Sequence, residues 1–193
     1  MEKDKIIAYL NDNDVENKDV LLSFLMSYSN KEIYSRTNLI GHITGSAFIV
    51  NEEHDKAMLV LHKKYNKWVA PGGHVEESED AKHASFRETK EETGIEYLSL
   101  LSQEVFDIDI HRIPEREKNG IFEPEHWHFD VRYLYQTRED GMINIDINEV
   151  NDYSWYDVKT LKESDDISTK RMASKLESFI NHIPAVRRSL RKR

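Results

Sequence analysis

The chain contains no cysteine. That excludes disulfides, thiolate metal sites and cysteine nucleophiles, and it fits a reducing compartment. No stretch approaches the roughly 20 apolar residues that a membrane span needs. The start, MEKDKIIAYLNDNDVENKD, lacks the apolar core of a secretory signal. These absences point to the cytoplasm and to no membrane partner. Basic residues are in deficit: 27 Lys and Arg stand against 36 Asp and Glu, a formal net charge of -9, so wholesale nucleic-acid binding is disfavoured. Internal repeats and low-complexity linkers are also missing. What remains is 193 residues, 38% hydrophobic and 33% charged, enough for one globular domain or a domain with an extension.

Residues 1 to about 38 read as helical, because KIIAYL and DVLLSFLMSYS space apolar residues for helix faces. Asn11 to Asp14 form the expected turn between them. The period then changes. HITGSAFIVN and KAMLVLHKK are rich in apolar and β-branched residues and are joined by the polar EEHD, a β-hairpin pattern. KWVAPGGHV predicts a short strand entering a Gly-Gly loop. Ser78 is the expected N-cap of a helix that runs to Thr93, with Gly94 at the C′ position. IEYLSLLSQEVFDIDIHRI and EHWHFDVRYLYQT read as longer strands, separated by the loop PEREKNGIFEPE. NEVNDYSWYDVKTL predicts a strand and a short turn. Residues 167 to 182 predict a helix with Met172, Leu176, Phe179 and Ile180 on one side. The tail RRSLRKR, five basic residues in seven, reads as a solvated helix end. Trp68 and Trp155 read as core or rim residues. The class is α/β (α+β), a mixed sheet with helices. Three segments are expected: a helical extension over 1–38, a domain over 39–162, and a C-terminal helix with the basic tail over 163–193.

One helix is arranged against itself. Glu88, Glu91 and Glu92 crowd its C-terminal end, where the macrodipole is already negative and like charges at i,i+4 repel. Stepping about 100° per residue from Glu88 places Ala81, Ala84, Ser85, Glu91 and Glu92 within about 60° of it. A stripe of small residues lets a helix approach its neighbour closely, which would aim the acids into a cleft. Phe86 lies on the opposite face with Thr89 and Thr93. If Phe86 marks the buried side, the acids form a solvated face instead. A hard divalent cation reconciles the crowding, since Mg²⁺ takes oxygen ligands at about 2.0–2.1 Å. The PGG turn ahead of the helix adds a backbone carbonyl and room for a ligand.

The same segment resembles the Nudix box, G-x5-E-x7-R-E-U-x-E-E-x-G-U with U a bulky apolar residue. Gly73, Glu79, Arg87, Glu88, Glu91, Glu92, Gly94 and Ile95 match it, and Thr89 departs at the first U. The resemblance implies a Nudix fold, in which helices sandwich a mixed sheet. It also implies hydrolysis of a nucleoside diphosphate linked to another group, with Mg²⁺ or Mn²⁺ as cofactor. By that resemblance Glu91 and Glu92 are metal ligands. Glu88 is a further ligand or the base that activates water, oriented by Arg87. Glu79 pairs with Arg87 or supports the loop, Gly73 shapes it, and the Gly72 carbonyl is a backbone ligand. Glu149 is a further acid from outside the box. The substrate class is a nucleoside di- or triphosphate or a related nucleoside diphosphate-X compound. A Nudix-fold module that binds nucleotide without cleaving it is the alternative. The base and the leaving group are set by loops outside the box.

Two further rows of polar residues stand out by period 2: Asp107, Asp109 and His111 in DIDIH, and His126, His128 and Asp130 in HWHFD. His111, His126, His128 and Asp130 are candidates for substrate contact or a second metal site, set against a plain polar outer face. The helices of 1–38 either cover the core or form a homodimer interface, and composition does not decide between these.

Overall fold

Strand β1, Gly41–Val50, is buried at every position. Strands covered on both faces usually read as continuous apolar runs. Here the even positions His42, Thr44 and Ser46 are polar, Phe48 and Val50 are apolar, and the odd positions are apolar or glycine, so the first half of β1 presents one polar and one apolar face, both hidden. The computed structural model of the chain describes residues 1–118 and 120–182. The basic tail predicted at 187–193 lies outside them. By contacts the chain divides into two compact units: Met1–Ser46, Gly72–Glu88 and Gln103–Tyr133 form the first, and Ala47–Pro71, Thr89–Ser102 and the residues from Leu134 onward form the second.

The first unit begins with helices α1, Glu2–Asp12, and α2, Lys18–Ser27, followed by a 3₁₀ turn over Glu32–Tyr34. Their buried residues, Ile6, Leu10, Leu21, Phe24, Leu25 and Ile33, are those whose spacing predicts helix faces. Strands β1 and β4, Gly72–His74, pair antiparallel with Thr44 opposite His74 and Gly45 opposite Gly73. The expected Gly-Gly loop is therefore a strand. Glycine is needed there because a Cβ on Gly72 would lie 2.4 Å from Ser46 Oγ. Strand β6, Asp107–Ile113, pairs antiparallel with β9, His126–Gln136, in a register that sets His111 opposite His128 and Asp109 opposite Asp130. Between them, the segment predicted as a loop holds a hairpin, β7, Arg116–Lys118, with β8, Ile121–Glu123. An Arg116–Glu123 ion pair closes it, as opposite charges across paired strands do.

In the second unit β1 continues into the predicted hairpin with β2, Lys56–His62, in which Ile49 faces Met58. Short β3, Lys67–Val69, and β10, Val150–Asp157, flank β2 on either side. Only Ser99–Leu100, β5, is strand in the segment before β6, and it pairs with the end of β9. The sheet pairing is mixed. Trp127 N–H donates to Ile40 C=O and Thr137 N–H to Val50 C=O, so β1 and β9 run parallel, while the registered pairs are antiparallel. Helix α4, Val158–Leu161, and α5, Ile167–His182, close the described chain. Met172 and Leu176 are buried in α5, and Phe179 and Ile180 are half-buried. Trp68 is half-buried with its ring edge-on to Tyr156, and Trp155 is half-buried too.

Helix α3, Ala81–Thr93, carries the box. Its N-cap is Asp80, not Ser78: Asp80 Oδ1 accepts from the His83 N–H at 2.9 Å, while Ser78 sits in the preceding loop at φ +72°. The other open N–H groups are met from far away in sequence. Glu2 accepts from the Ala81 N–H at 2.9 Å and the Lys82 N–H at 3.1 Å, and from the Tyr34 and Tyr133 hydroxyls. Burial and the Glu2 carboxylate hold both phenols well above the ordinary tyrosine range. The helix ends at Gly94, φ +66°, whose N–H bonds to Lys90 C=O.

Candidate active site

The small-residue stripe of α3 faces inward. Ala81, Ala84 and Ser85 are fully buried, while Phe86 is 39% exposed. A Cβ on Gly45 would meet the Ala81 carbonyl oxygen at 2.1 Å. The helix thus rests on the backbone of β1, and only glycine at 45 allows that approach. This settles which side of the helix Glu88 occupies. It is on the packed side, beside strand β4.

There the Glu88 carboxyl lies against the backbone of Gly73, 2.5 Å from where a Cβ would stand. Arg87 holds it through NH1 at 3.1 Å from Oε1. Arg87 is itself fixed by a fork on Glu79, Nε to Oε1 and NH2 to Oε2, both 3.0 Å, and by NH2 donating to the His74 carbonyl at 2.9 Å. Two parallel charge-assisted bonds set orientation as well as energy. They push the Glu79 carboxyl below the usual range and the Arg87 guanidinium above its own. Gly73, Glu79, Arg87 and Glu88, matched in sequence, are therefore one hydrogen-bonded assembly. Glu91 and Glu92 follow on the same helix, three and four residues beyond Glu88. Glu91 is exposed and Glu92 is 3% exposed. Carboxylate oxygens suit a hard divalent ion such as Mg²⁺ or Mn²⁺. Glu149 sits on an exposed turn ahead of β10, its N–H bonded to Asp146 C=O.

Successive strand residues point to opposite sides of a sheet. Gly45 and Gly73 face α3, so Thr44, Ser46 and His74 face away from it. On that second face Asp130 accepts from Thr44 Oγ1 at 3.1 Å, Ser46 Oγ at 2.7 Å and Arg132 Nε at 2.7 Å. Arg132 also lies 3.4 Å from Asp107 and 3.7 Å from Asp109. Its burial opposes the charge, but the three carboxylates outweigh that and hold it firmly protonated. Asp130 is thus fully engaged by protein groups. The predicted histidines fare differently. His111, His126 and His128 gather at the other end of this face with two that sequence reading did not single out, His42 and His74. Ring centroids of His42 lie 4.7 Å from His128, 5.1 Å from His74 and 5.2 Å from His126. The available signal was the alternation of His42, Thr44 and Ser46 along β1, and the position of His74 directly after Gly73. Burial and the neighbouring histidines lower the His42 pKa to about 3 and that of His128 to about 2, so both rings are neutral at ordinary pH. His111 is pushed the other way by its bond to Asp109.

A mixed sheet bearing a helix of this sequence, with an Arg-oriented glutamate packed on a glycine, defines a Nudix-type protein. The family model described as NUDIX domain matches residues 42–176. The chain belongs to that family. It is 30% identical over 128 residues to the m7GpppN-mRNA hydrolase NUDT17 of Xenopus laevis, an alignment that takes in 61% of this chain. The chain spans less than half of that relative, 42% of its length. Among solved structures, a NUDIX-family hydrolase from Clostridium perfringens is 27% identical, with a TM-score of 0.52 over 72% of this chain and 97% of that one. A C. elegans Ap4A hydrolase shares the fold at 19% identity, with a TM-score of 0.53 over 73% of this chain and 98% of that one. Thr89, the departure from the box, is fully buried and its carbonyl accepts from the Thr93 hydroxyl.

Proposed function

We propose that the chain is a Mg²⁺- or Mn²⁺-dependent pyrophosphohydrolase that cleaves a nucleoside di- or triphosphate, or a related nucleoside diphosphate-X compound, by water attack on phosphorus. The observation that carries this reading is the fixed Glu79–Arg87–Glu88 chain on Gly73, in a helix whose next acids are Glu91 and Glu92. A pyrophosphate is polyanionic and would be repelled by these carboxylates alone. A bound divalent ion neutralises charge on the phosphoryl oxygens and lowers the pKa of a coordinated water.

The residues of the chain divide the rest of the work. Glu91, Glu92, Glu88 and the Gly72 carbonyl would hold the ion. Arg87 holds Glu88 in one orientation, which would leave its second oxygen to bind metal or take a proton from the attacking water. Glu79 restricts Arg87 to one rotamer. Phosphoryl transfer needs positioning and electrostatics more than a protein nucleophile, which agrees with the absence of cysteine. The name of the NUDT17 relative makes capped RNA one of the compounds to try. No helix among the described residues is long and apolar enough to cross a membrane.

A panel of nucleoside di- and triphosphates, dinucleotides, nucleotide sugars and cap analogue, with Mg²⁺ and phosphate release as the readout, tests the proposal. Turnover of at least one is expected, and labelled water identifies the phosphorus attacked. Failure on the whole panel refutes hydrolysis. Tight binding with no release at any metal concentration supports the non-hydrolytic module instead.

A further inference from the structure

We infer that His42, His74 and His128 form a second metal site, for a borderline transition-metal ion such as Zn²⁺, separate from the carboxylate site and on the opposite face of β4. Two observations support it. The candidate ligand atoms of the three side chains all lie within 4.8 Å of one another. Imidazole nitrogens about 2.0–2.1 Å from a tetrahedral ion stand roughly 3.3 Å apart, so small side-chain rotations complete the geometry. Second, His42 is 2% exposed and neither of its ring nitrogens has a hydrogen-bond partner. A buried imidazole ordinarily finds partners for both nitrogens. A ligand ion accounts for one of these two. The flanking His126 Nε2 is buried and makes no hydrogen bond either, with Glu123 Oε1 3.9 Å away and its ring 5.2 Å from those of His42 and His128.

The donor chemistry separates the two sites. Nitrogen ligands suit Zn²⁺ and its neighbours, whereas carboxylate and carbonyl oxygen suit Mg²⁺ and Mn²⁺. The three histidines come from three different strands, β1, β4 and β9. An ion bound there would pin β4 between its neighbours, and with it the Gly72–Gly73 backbone. The inference does not depend on the hydrolase reading, because it concerns the other side of the strand.

The full chain, stripped with a chelator and dialysed, is titrated with Zn²⁺ against a chromogenic chelator and, separately, with Co²⁺ followed by visible absorption. We expect one tight equivalent of Zn²⁺, undisturbed by excess Mg²⁺, and intense Co²⁺ bands of a tetrahedral nitrogen site. In His128→Gln and His74→Gln the affinity should fall at least 100-fold, on the order of the losses seen when even outer partners of a metal site are removed. Glu91→Gln and Glu92→Gln should keep the same Zn²⁺ affinity. Zn²⁺ binding lost in the glutamate variants but kept in the histidine variants would overturn the assignment, as would no Zn²⁺ binding by the wild-type chain. Should a histidine variant fail to fold, the wild type decides alone: Zn²⁺ that excess Mg²⁺ displaces would overturn the assignment, because nitrogen donors prefer Zn²⁺.

Discussion

The Glu88 carboxyl occupies the space that a side chain on Gly73 would need, with its Cδ 2.5 Å from the position of that missing Cβ. Glycine at 73 is thus required by the acid that lies on it rather than by an unusual backbone angle. Gly73→Ala must push Glu88 off its bond to Arg87. A displacement near 1 Å can cost about 10²-fold in rate, so kcat should fall by about that factor with the circular dichroism spectrum unchanged. A variant with wild-type kcat would show that Glu88 is not held for catalysis.

Glu91→Gln and Glu92→Gln should each remove most activity while leaving the fold intact. Titrating Mg²⁺ into the wild type should raise its melting temperature, because an ion bound only to the folded state stabilises it by about 2.7 kcal/mol at a hundredfold excess over Kd. The rise should shrink in both variants. An unchanged Mg²⁺ response in both variants removes them from the ligand set.

Glu79→Gln should lower kcat more than it raises KM, because Glu79 acts through Arg87 and not on substrate. It should also alter acid sensitivity. The Glu79 pKa is depressed below 4.5 in the folded chain, so its pairing with Arg87 contributes fully above the unfolded value and is lost as pH falls through the folded one. The variant should therefore lose less stability than wild type on acidification below about pH 4.5. Melting curves across that window measure it, and parallel curves would contradict it.

Glu2→Ala removes the carboxylate that closes the first turn of α3 and leaves the hydroxyls of half-buried Tyr34 and buried Tyr133 without this acceptor. Loss of a cap costs about 0.5–2 kcal/mol and each stranded polar group adds about 1–3 kcal/mol. Urea unfolding should show a loss of at least 1 kcal/mol, about the cost of the cap alone, together with reduced activity from a loosened α3. A change confined to the α1 region in hydrogen exchange, with α3 unaffected, would contradict this link.

The elements that a local pattern specifies were legible in the residues. The Val50-to-Ala57 hairpin follows from two apolar runs around a polar linker, and α5 begins and ends where its spacing predicts. The failures have a common cause. Ser78 looks like a cap by type, yet the loop turns through a positive φ there and leaves Asp80 to cap. Gly72 and Gly73 look like a loop, yet β1 offers them a partner that lies far away in sequence. Phe86 left the direction of α3 open until the contact between Gly45 and Ala81 decided it. The proposed acidic site could be read from the sequence because Gly72, Gly73, Glu79, Arg87, Glu88, Glu91 and Glu92 fall within one continuous stretch. His42 and His74 could not, because their meeting with His128 depends on strand register, which no short window of sequence contains.

Residues 73 and 74 are neighbours in the chain, yet one touches Glu88 and the other joins the histidines. One peptide unit thus serves two chemically unlike surroundings, carboxylate on one side of the sheet and imidazole on the other. A substitution at either position is therefore read on both faces, since the two residues share a backbone.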